Sequence, residues 1–251
     1  MKQFANARVL ITGAAGGVGQ ALCAAFAEAG AFVIGCDAPG ADMSVPGIGE
    51  SHAFDLRDRA AVLRAAGDVL AAGAPRIVVS NAGWTRQETL AMTTPEGIGE
   101  EMDINFTAPA LLSHALLPAL RAMEGNRAFV FVASVNAHSH FGNPAYSAAK
   151  AATLAWMRAL AVEEAPSGIR ANAVLPASIH TGAWDHRLAA DPQILDKVHA
   201  IYPMGRLVTP REVANAVTFL ASDAASGVTG TTVTVDAGVS AGNLPFLNAI
   251  T

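Results

Sequence analysis

Charge is scarce in this chain: Asp, Glu, Lys and Arg fill 15% of 251 positions, while hydrophobic residues fill 52%. An average globular domain carries roughly 25% charged residues. The shortfall excludes disorder for the chain as a whole and predicts that much of the surface is covered, inside one compact domain or between subunits of a homo-oligomer. The 16 basic residues are scattered, and 21 acidic ones give a net charge of −5. No basic stripe is present to meet nucleic acid. Cysteine is nearly absent: Cys23 and Cys36 lack a CxxC spacing and each sits inside an apolar run. That argues against a disulfide framework or a zinc site and for two small core residues. Long apolar runs are missing too. The stretch at 9–12 ends at once in a glycine cluster, unlike the sustained core of a signal peptide. The uncharged stretches are each interrupted by Gly, Asn, His or Pro, which would leave polar groups facing lipid. The expectation is a soluble, cytoplasmic protein with no membrane partner.

What is present is an alternation. Short β-rich runs alternate with alanine-rich helical stretches, the pattern of βαβ units around a parallel sheet. Strands are predicted at 8–12, 31–37, 52–54, 76–80, 127–133, 169–174 and 231–235. Helices are predicted at 17–29, 57–72, 146–164 and 210–222, with another running from a Thr94-Pro95-Glu96 start to about 123, since proline and a carboxylate suit a first turn. The predicted class is α/β: a doubly wound Rossmann-like fold, with a mostly parallel seven-stranded sheet flanked by helices. Residues 178–204 lack a clean period and carry Trp184, several His and Pro192, so they read as a mobile lid or substrate-covering segment. No repeat or linker splits the chain, and a single dinucleotide-binding and catalytic domain over 1–251 is expected.

Between the first strand and the first helix lies Thr12-Gly13-Ala14-Ala15-Gly16-Gly17-Val18-Gly19. Small residues there let backbone approach a pyrophosphate, and the helix N-terminus aims N–H groups at it. The spacing is TGxxxGxG rather than GxGxxG, and a glycine cluster alone also suits a tight turn. The context decides. Asp37 ends the second strand, 18 residues after Gly19, where a carboxylate can accept hydrogen bonds from an adenosine ribose. The same carboxylate repels a 2′-phosphate of about −1.5 to −2 charges, and no basic residue follows it until Arg57. NAD(H) is therefore favoured over NADP(H).

Tyr146 and Lys150 form an i,i+4 pair at the start of a helix and so share one face. A free tyrosine has a pKa near about 10, too high for an efficient base at neutral pH; a nearby ammonium favours the phenolate. An isolated pair of this kind also suits a core tyrosine lying along a lysine stem.

Taken in order, Thr12 to Gly19, Asp55-Leu56, Asn81-Ala82-Gly83, Asn105, Ser134, Tyr146-Ser147-Ala148-Ala149-Lys150, Pro176 through Thr181, and Thr229-Gly230 through Val235-Asp236 resemble the motifs of the single-domain short-chain dehydrogenase/reductase family from first strand to last. The resemblance implies Tyr146 as general acid/base, with Lys150 holding the nicotinamide ribose and lowering the tyrosine pKa. It implies Ser134 on the substrate oxygen and Asn105 fixing a water in a proton relay from Lys150. For the coenzyme it implies Gly13, Gly17, Val18 and Gly19 at the pyrophosphate turn and Asp37 at the ribose. Asp55 and Leu56 would meet adenine, Asn81, Ala82 and Gly83 the adenosine half, and Pro176, Ile179 and Thr181 the nicotinamide. Departures from the family pattern are Ser80, Ala108, Ala177 and Asp236-Ala237-Gly238; none removes a reacting group, though the backbone path near Pro176 is left open.

Substrate contacts are expected from loops at the carboxyl ends of the strands. Asn136, His138 and Trp184 are candidates beside Ser134 and Tyr146, and the loops hold many hydrogen-bonding groups and few large aliphatics. The expected activity is interconversion of a secondary alcohol and a ketone, or a hemiacetal and a lactone, on a small polar metabolite such as a sugar, sugar acid or polyol. The alternatives are a 3-oxoacyl thioester reductase and a non-catalytic dinucleotide sensor. His138-Ser139-His140 lacks a third ligand at fixed spacing, so no metal is expected. The uncharged tail at 239–251 includes Leu244, Pro245, Phe246 and Leu247 and would expose an apolar patch in water. With the family's habit of oligomerising through this region, it predicts a homotetramer.

Overall fold

The computed structural model describes residues 2–85, 89–182, 188–189 and 191–250. Among them, seven parallel strands form one sheet in the order β3-β2-β1-β4-β5-β6-β7. They are β1 (Arg8–Thr12), β2 (Phe32–Asp37), β3 (Ile48–Ala53), β4 (Ile77–Ser80), β5 (Arg127–Val132), β6 (Ile169–Pro176) and β7 (Thr232–Val235). The central strands are buried on both faces, which is why β5 reads RAFVFV without polar alternation. Phe129 and Phe131 point to one core, Val130 and Val132 to the other.

Helices α1 (Gly17–Glu28) and later α7 (Pro210–Ala221) cover one face, where Leu22, Phe26, Val213 and Val217 pack. Helices α2 (Arg59–Ala72), α4 (Ala108–Arg121) and α5 (Pro144–Glu163) cover the other with Val62, Leu112, Leu116, Leu154 and Met157. Chain direction across the sheet reverses between β1 and β4, whose adjacency is direct. A crevice therefore opens at the carboxyl ends of these two strands, where helices leave on opposite faces.

Several expected boundaries move for physical reasons. The helix expected to run from Thr94 to about 123 forms, but its winding changes partway along. Thr94 does cap it, accepting from Gly97 N at 3.1 Å, but α3 (Pro95–Met102) passes into a π turn (Asp103–Thr107) before α4 begins. One extra residue in that turn carries Asn105 into the interior, an arrangement often found at functional sites; the polarity pattern registers no change. Strand β3 starts four residues earlier than expected, at Ile48 rather than 52, because an edge strand built from Gly, Glu, Ser and His has little β propensity to betray it. Within 178–204, α6 (Ile194–His199) forms, Tyr202 is buried, and its hydroxyl accepts from Ser178 N at 3.2 Å. Ile179 bridges Val208, so both ends of the covering segment are tied to the body. The tail forms α8 (Leu244–Ile250), with Asn243 Oδ1 accepting from Phe246 N at 3.0 Å. Among the described residues, no helix is long and apolar enough to cross a membrane.

The start of α7 is fixed by a reciprocal cap: Thr209 Oγ1 accepts from Glu212 N at 3.3 Å, and Glu212 Oε2 accepts from Thr209 N at 2.8 Å. Arg206 adds an ion pair at 2.7 Å, and with these partners the Glu212 carboxyl falls from 4.5 to about 2. Its contribution to stability is complete above about pH 4.5 and is lost as pH falls toward 2. Thr209→Ala should destabilise the fold by about 1 kcal/mol, measured by urea unfolding at neutral pH; an unchanged midpoint would contradict this role for the cap.

Candidate active site

Thr12 ends β1 and stitches two loops together. Its Oγ1 accepts from Asn81 N at 3.1 Å and Ala82 N at 3.0 Å, while Asn81 Nδ2 donates to Thr12 O at 2.9 Å and Gly13 O at 3.2 Å. Asn81 and Ala82 are thus carried to the glycine turn, with the Asn81 amide spent on holding it. A side chain at Gly13, where φ is +67°, would place Cβ 2.8 Å from Ala82 Cα. At Gly19 it would lie 1.9 Å from Gly13 O, so only glycine permits the turn to fold back on α1. Gly16 and Gly17 are exposed, no side chain caps α1 and no acid sits in its first turn. The helix N–H groups there face the crevice beside Val18, as an anion requires. Thr181 closes over this turn: its Cγ2 lies 2.8 Å from where a Gly17 Cβ would be.

Asp37 lies at the rim. Its Oδ2 accepts from Ala15 N at 2.8 Å and Oδ1 from Ala38 N at 2.7 Å. Together with Gly16, Gln20, Ala41 and Asp42 it lines a cavity of about 400 Å³ that, among the described residues, no basic side chain borders. A dinucleotide fits this cradle: glycines without room for Cβ, open helix N–H groups, and the Asp37 carboxylate at the rim of the adjoining cavity. Asp55 is occupied by Arg57, whose Nη2 donates at 2.7 Å, and Leu56 packs into the core beneath α2. Pro176 ends β6 in register with Val235, which settles the backbone path there as regular strand.

The second cluster forms where α5 meets β5. Asn143 adopts a left-handed conformation with φ 58°, Pro144 opens the helix, and Tyr146 and Lys150 follow one turn apart. Lys150 is 3% exposed; its Nζ donates to Val132 O at 3.1 Å and lies 5.5 Å from the centre of the Tyr146 ring. Ser134 stands close enough to Tyr146 to draw the phenol's pKa down. Ser134 Oγ accepts from Asn136 N at 3.2 Å, and Asn136 Nδ2 donates to Gly142 O at 2.8 Å and Ser147 Oγ at 3.2 Å. The Asn136 amide therefore braces the loop around Ser134. His138 and His140 are exposed further along it, and Trp184 lies outside the described residues. Among the described residues, no three His, Cys, Asp or Glu side chains gather as a metal would require.

Asn105 is fully buried in the π turn. Its Nδ2 donates to Trp84 O at 2.9 Å and Glu101 Oε2 at 2.9 Å, its Oδ1 accepts from Trp84 N at 3.3 Å, and its carbonyl accepts from Thr153 Oγ1 at 2.8 Å. Gly83 separates Asn105 from the lysine: a Cβ there would lie 3.0 Å from Asn105 Oδ1 and 3.2 Å from Lys150 Nζ.

The expected lowering of the tyrosine pKa by Lys150 is not met by the chain alone. Burial pushes the Tyr146 phenol up to about 12; the Ser134 hydrogen bond pulls it down and Glu101 pushes it further up. Burial also pushes the Lys150 ammonium down to about 8, against the opposing pull of Glu101. Desolvation is the largest cause acting on each group. Glu101 and Thr153 were not singled out by sequence reading, and Thr12 was named only as the start of the glycine motif. Glu101 stands four residues before Asn105 on a helix, a spacing that could have signalled the contact.

Comparison with known proteins adds the following. A family model described as enoyl-(acyl carrier protein) reductase matches residues 13–240. An uncharacterized oxidoreductase of Schizosaccharomyces pombe is 37% identical over 237 residues, covering 94% of this chain and 91% of that protein. The acetoacetyl-CoA reductase of Rhizobium meliloti is 33% identical over 91% of this chain and 96% of its own length. An oxidoreductase of the short-chain dehydrogenase/reductase family from Burkholderia thailandensis superposes with a TM-score of 0.90 at 37% identity, covering 98% of this chain and 97% of that one. The ligand-free aldohexose dehydrogenase of Thermoplasma acidophilum superposes with a TM-score of 0.86 at 27% identity, covering 96% of each chain.

Gly19→Ala is expected to weaken coenzyme binding at least about tenfold, because the new methyl and the Gly13 carbonyl cannot share one place. Fluorescence titration with NADH reads this directly, and wild-type affinity in the variant would contradict it.

Proposed function

Since this chain belongs to the short-chain dehydrogenase/reductase family, we propose that it interconverts a secondary alcohol and a ketone with NAD(H), using Tyr146 as the proton carrier. The observation that carries this reading is the grouping of Ser134, Tyr146 and Lys150 at the carboxyl ends of the strands, beside the glycine turn. The bound nicotinamide supplies the acceptor or donor of the hydride. Ser134 hydrogen-bonds the substrate oxygen and Tyr146 exchanges the proton with it. Lys150 places its charge beneath the tyrosine ring, and Asn105 fixes the π turn that faces it. NAD(H) is preferred on the ground that Asp37 and Asp42 line the rim cavity and, among the described residues, no basic side chain borders it to meet a 2′-phosphate.

For the substrate, a small hydroxylated metabolite is supported by the polar loops with His138, His140 and His180, and by likeness to the aldohexose dehydrogenase. A second reading, a 3-oxoacyl or 3-hydroxyacyl thioester, is supported by a feature that loop composition understated. Trp84, Leu90, Met92, Phe141 and Met204 stand exposed on the same loops, apolar surface suited to an acyl chain, and a relative is an acetoacetyl-CoA reductase. Phe246, Leu247 and Ile250 on α8 are also exposed, which supports a homotetramer with the tail covered.

Tyr146→Phe should lower kcat by at least about a hundredfold, the usual scale of one acid–base group, while NADH affinity stays near wild type. Near-normal turnover would overturn the assignment. A phenol held up to about 12 stays protonated below that value, the form that donates to a ketone. Ketone reduction should therefore hold at neutral pH and alcohol oxidation should rise steeply toward alkaline pH; opposite trends would contradict it. A panel of polyols, sugars, sugar acids and acetoacetyl-CoA, followed by nicotinamide absorbance with both coenzymes, discriminates the substrate readings, and a clear NADPH preference would overturn the coenzyme assignment.

A further inference from the structure

Ser134 stands where β5 gives way to a single 3₁₀ turn (Val135–Ala137), and it is held there by Asn136 from two sides. Its Oγ accepts from Asn136 N at 3.2 Å and lies 3.4 Å from Asn136 Oδ1. The far end of the same amide reaches the start of α5. There Nδ2 donates to Gly142 O at 2.8 Å and to Ser147 Oγ at 3.2 Å, and Ser147 Oγ donates in turn to Asn143 O at 3.0 Å. Ser147 directly follows Tyr146 in the chain. One planar group thus ties the serine at the end of β5 to the helix that carries Tyr146 and Lys150.

These contacts also decide which way the amide points. A backbone carbonyl only accepts, so the end facing Gly142 O is the nitrogen and the end facing Ser134 is the oxygen. The bond across 3.4 Å is therefore donated by the Ser134 hydroxyl. A hydroxyl has one proton and two lone pairs. Asn136 takes the proton at Oδ1 and one lone pair at its N–H, which fixes the rotation of the hydroxyl about its Cβ–Oγ bond. The usual O–H···O distance is about 2.7–2.8 Å, so at 3.4 Å the proton is held loosely and a substrate oxygen can draw it away.

We propose that Asn136 is a positioning residue: it sets the direction of the Ser134 hydroxyl toward the oxygen with which Tyr146 exchanges its proton, and it acts on substrate through that serine, not by the direct contact expected of it. Both ends of its amide are engaged within the protein, one on Ser134 and the other on the start of α5. The distance between the serine and the tyrosine helix is thereby set by a single rigid side chain.

The inference rests on the roles proposed above for Ser134 and Tyr146, and a double-mutant cycle separates the two. Asn136→Ala, Ser134→Ala and the pair together are compared by kcat/KM on the most active member of the panel of polyols, sugars, sugar acids and acetoacetyl-CoA. The enzyme is used in excess over substrate so that slow variants are still resolved, and NADH affinity by fluorescence serves as the control for fold. Asn136→Ala should lower kcat/KM about tenfold when Ser134 is present and less than about twofold when Ser134 is already Ala, because groups that act through one another are not additive. NADH affinity should stay near wild type throughout. Equal losses in the two backgrounds overturn the proposal, since a direct contact with substrate, or a brace serving other groups, costs the same with or without the serine. Wild-type kcat/KM in Asn136→Ala overturns it as well. If Asn136→Ala does not bind NADH, Asn136→Asp enters the same cycle under the same criterion, since it keeps the shape of the side chain and an oxygen for the Ser134 proton. Tyr146→Phe run in parallel assigns any failure: near-normal turnover in that variant sinks the acid–base reading itself, whereas its silence beside equal losses in the cycle sinks only the role of Asn136.

Discussion

A tyrosine and a lysine held together away from water set the terms for the rest of this molecule. Desolvation acts on the two groups in opposite directions, favouring the neutral phenol and the neutral amine. Tyr146 is accordingly pushed up to about 12 and Lys150 down to about 8. Left alone, such a pair drifts toward uselessness at neutral pH. The surroundings act unevenly on that drift: Ser134 draws the phenol down, Val132 O accepts from the ammonium, and Glu101 pushes both groups up, opposing the drift of the lysine but adding to that of the tyrosine.

Each of these partners comes from a different part of the fold, and the sheet brings them together. β5 delivers Val132 and Ser134, α5 delivers Tyr146 and Lys150, and the π turn delivers Asn105 and its tie to Glu101. The glycine turn after β1 reaches the same crevice through Thr12, whose hydroxyl joins it to the loop after β4. Gly83 in that loop lies against both Lys150 and Asn105. The glycine turn and the Tyr146–Lys150 cluster are therefore joined through one short loop, in which a side chain at Gly83 would crowd both Asn105 and Lys150.

The parallel sheet was legible from the sequence because strands buried on both faces, such as β5 and β6, are written as unbroken apolar runs bounded by turn residues. Tyr146, Lys150 and the glycine turn were legible because their chemistry depends on spacing within one helix or one loop. The π turn was not, since the polar and apolar positions from Pro95 to Arg121 read the same whether or not one residue is extruded. Nor was the part played by Asn136 or Asn81: an amide near a reacting group invites assignment to a ligand, while its use in bracing a loop emerges only when its partners are placed. The upward push of burial on the tyrosine was not legible for a related reason. Proximity to a cation is visible in a sequence, whereas the depth at which the pair is buried is a property of packing.

The central claim is that the chain by itself keeps the Tyr146 phenol protonated and that filling the crevice with coenzyme is what brings its proton into play. The chain has only two tyrosines, Tyr146 and Tyr202, so ultraviolet titration of tyrosinate, with Tyr146→Phe as the subtraction control, can follow Tyr146 alone. Without coenzyme its phenolate should be absent until strongly alkaline pH; with saturating NAD its transition should move down by about two units or more. Identical transitions with and without coenzyme, or a phenolate at neutral pH in the free protein, would contradict the account.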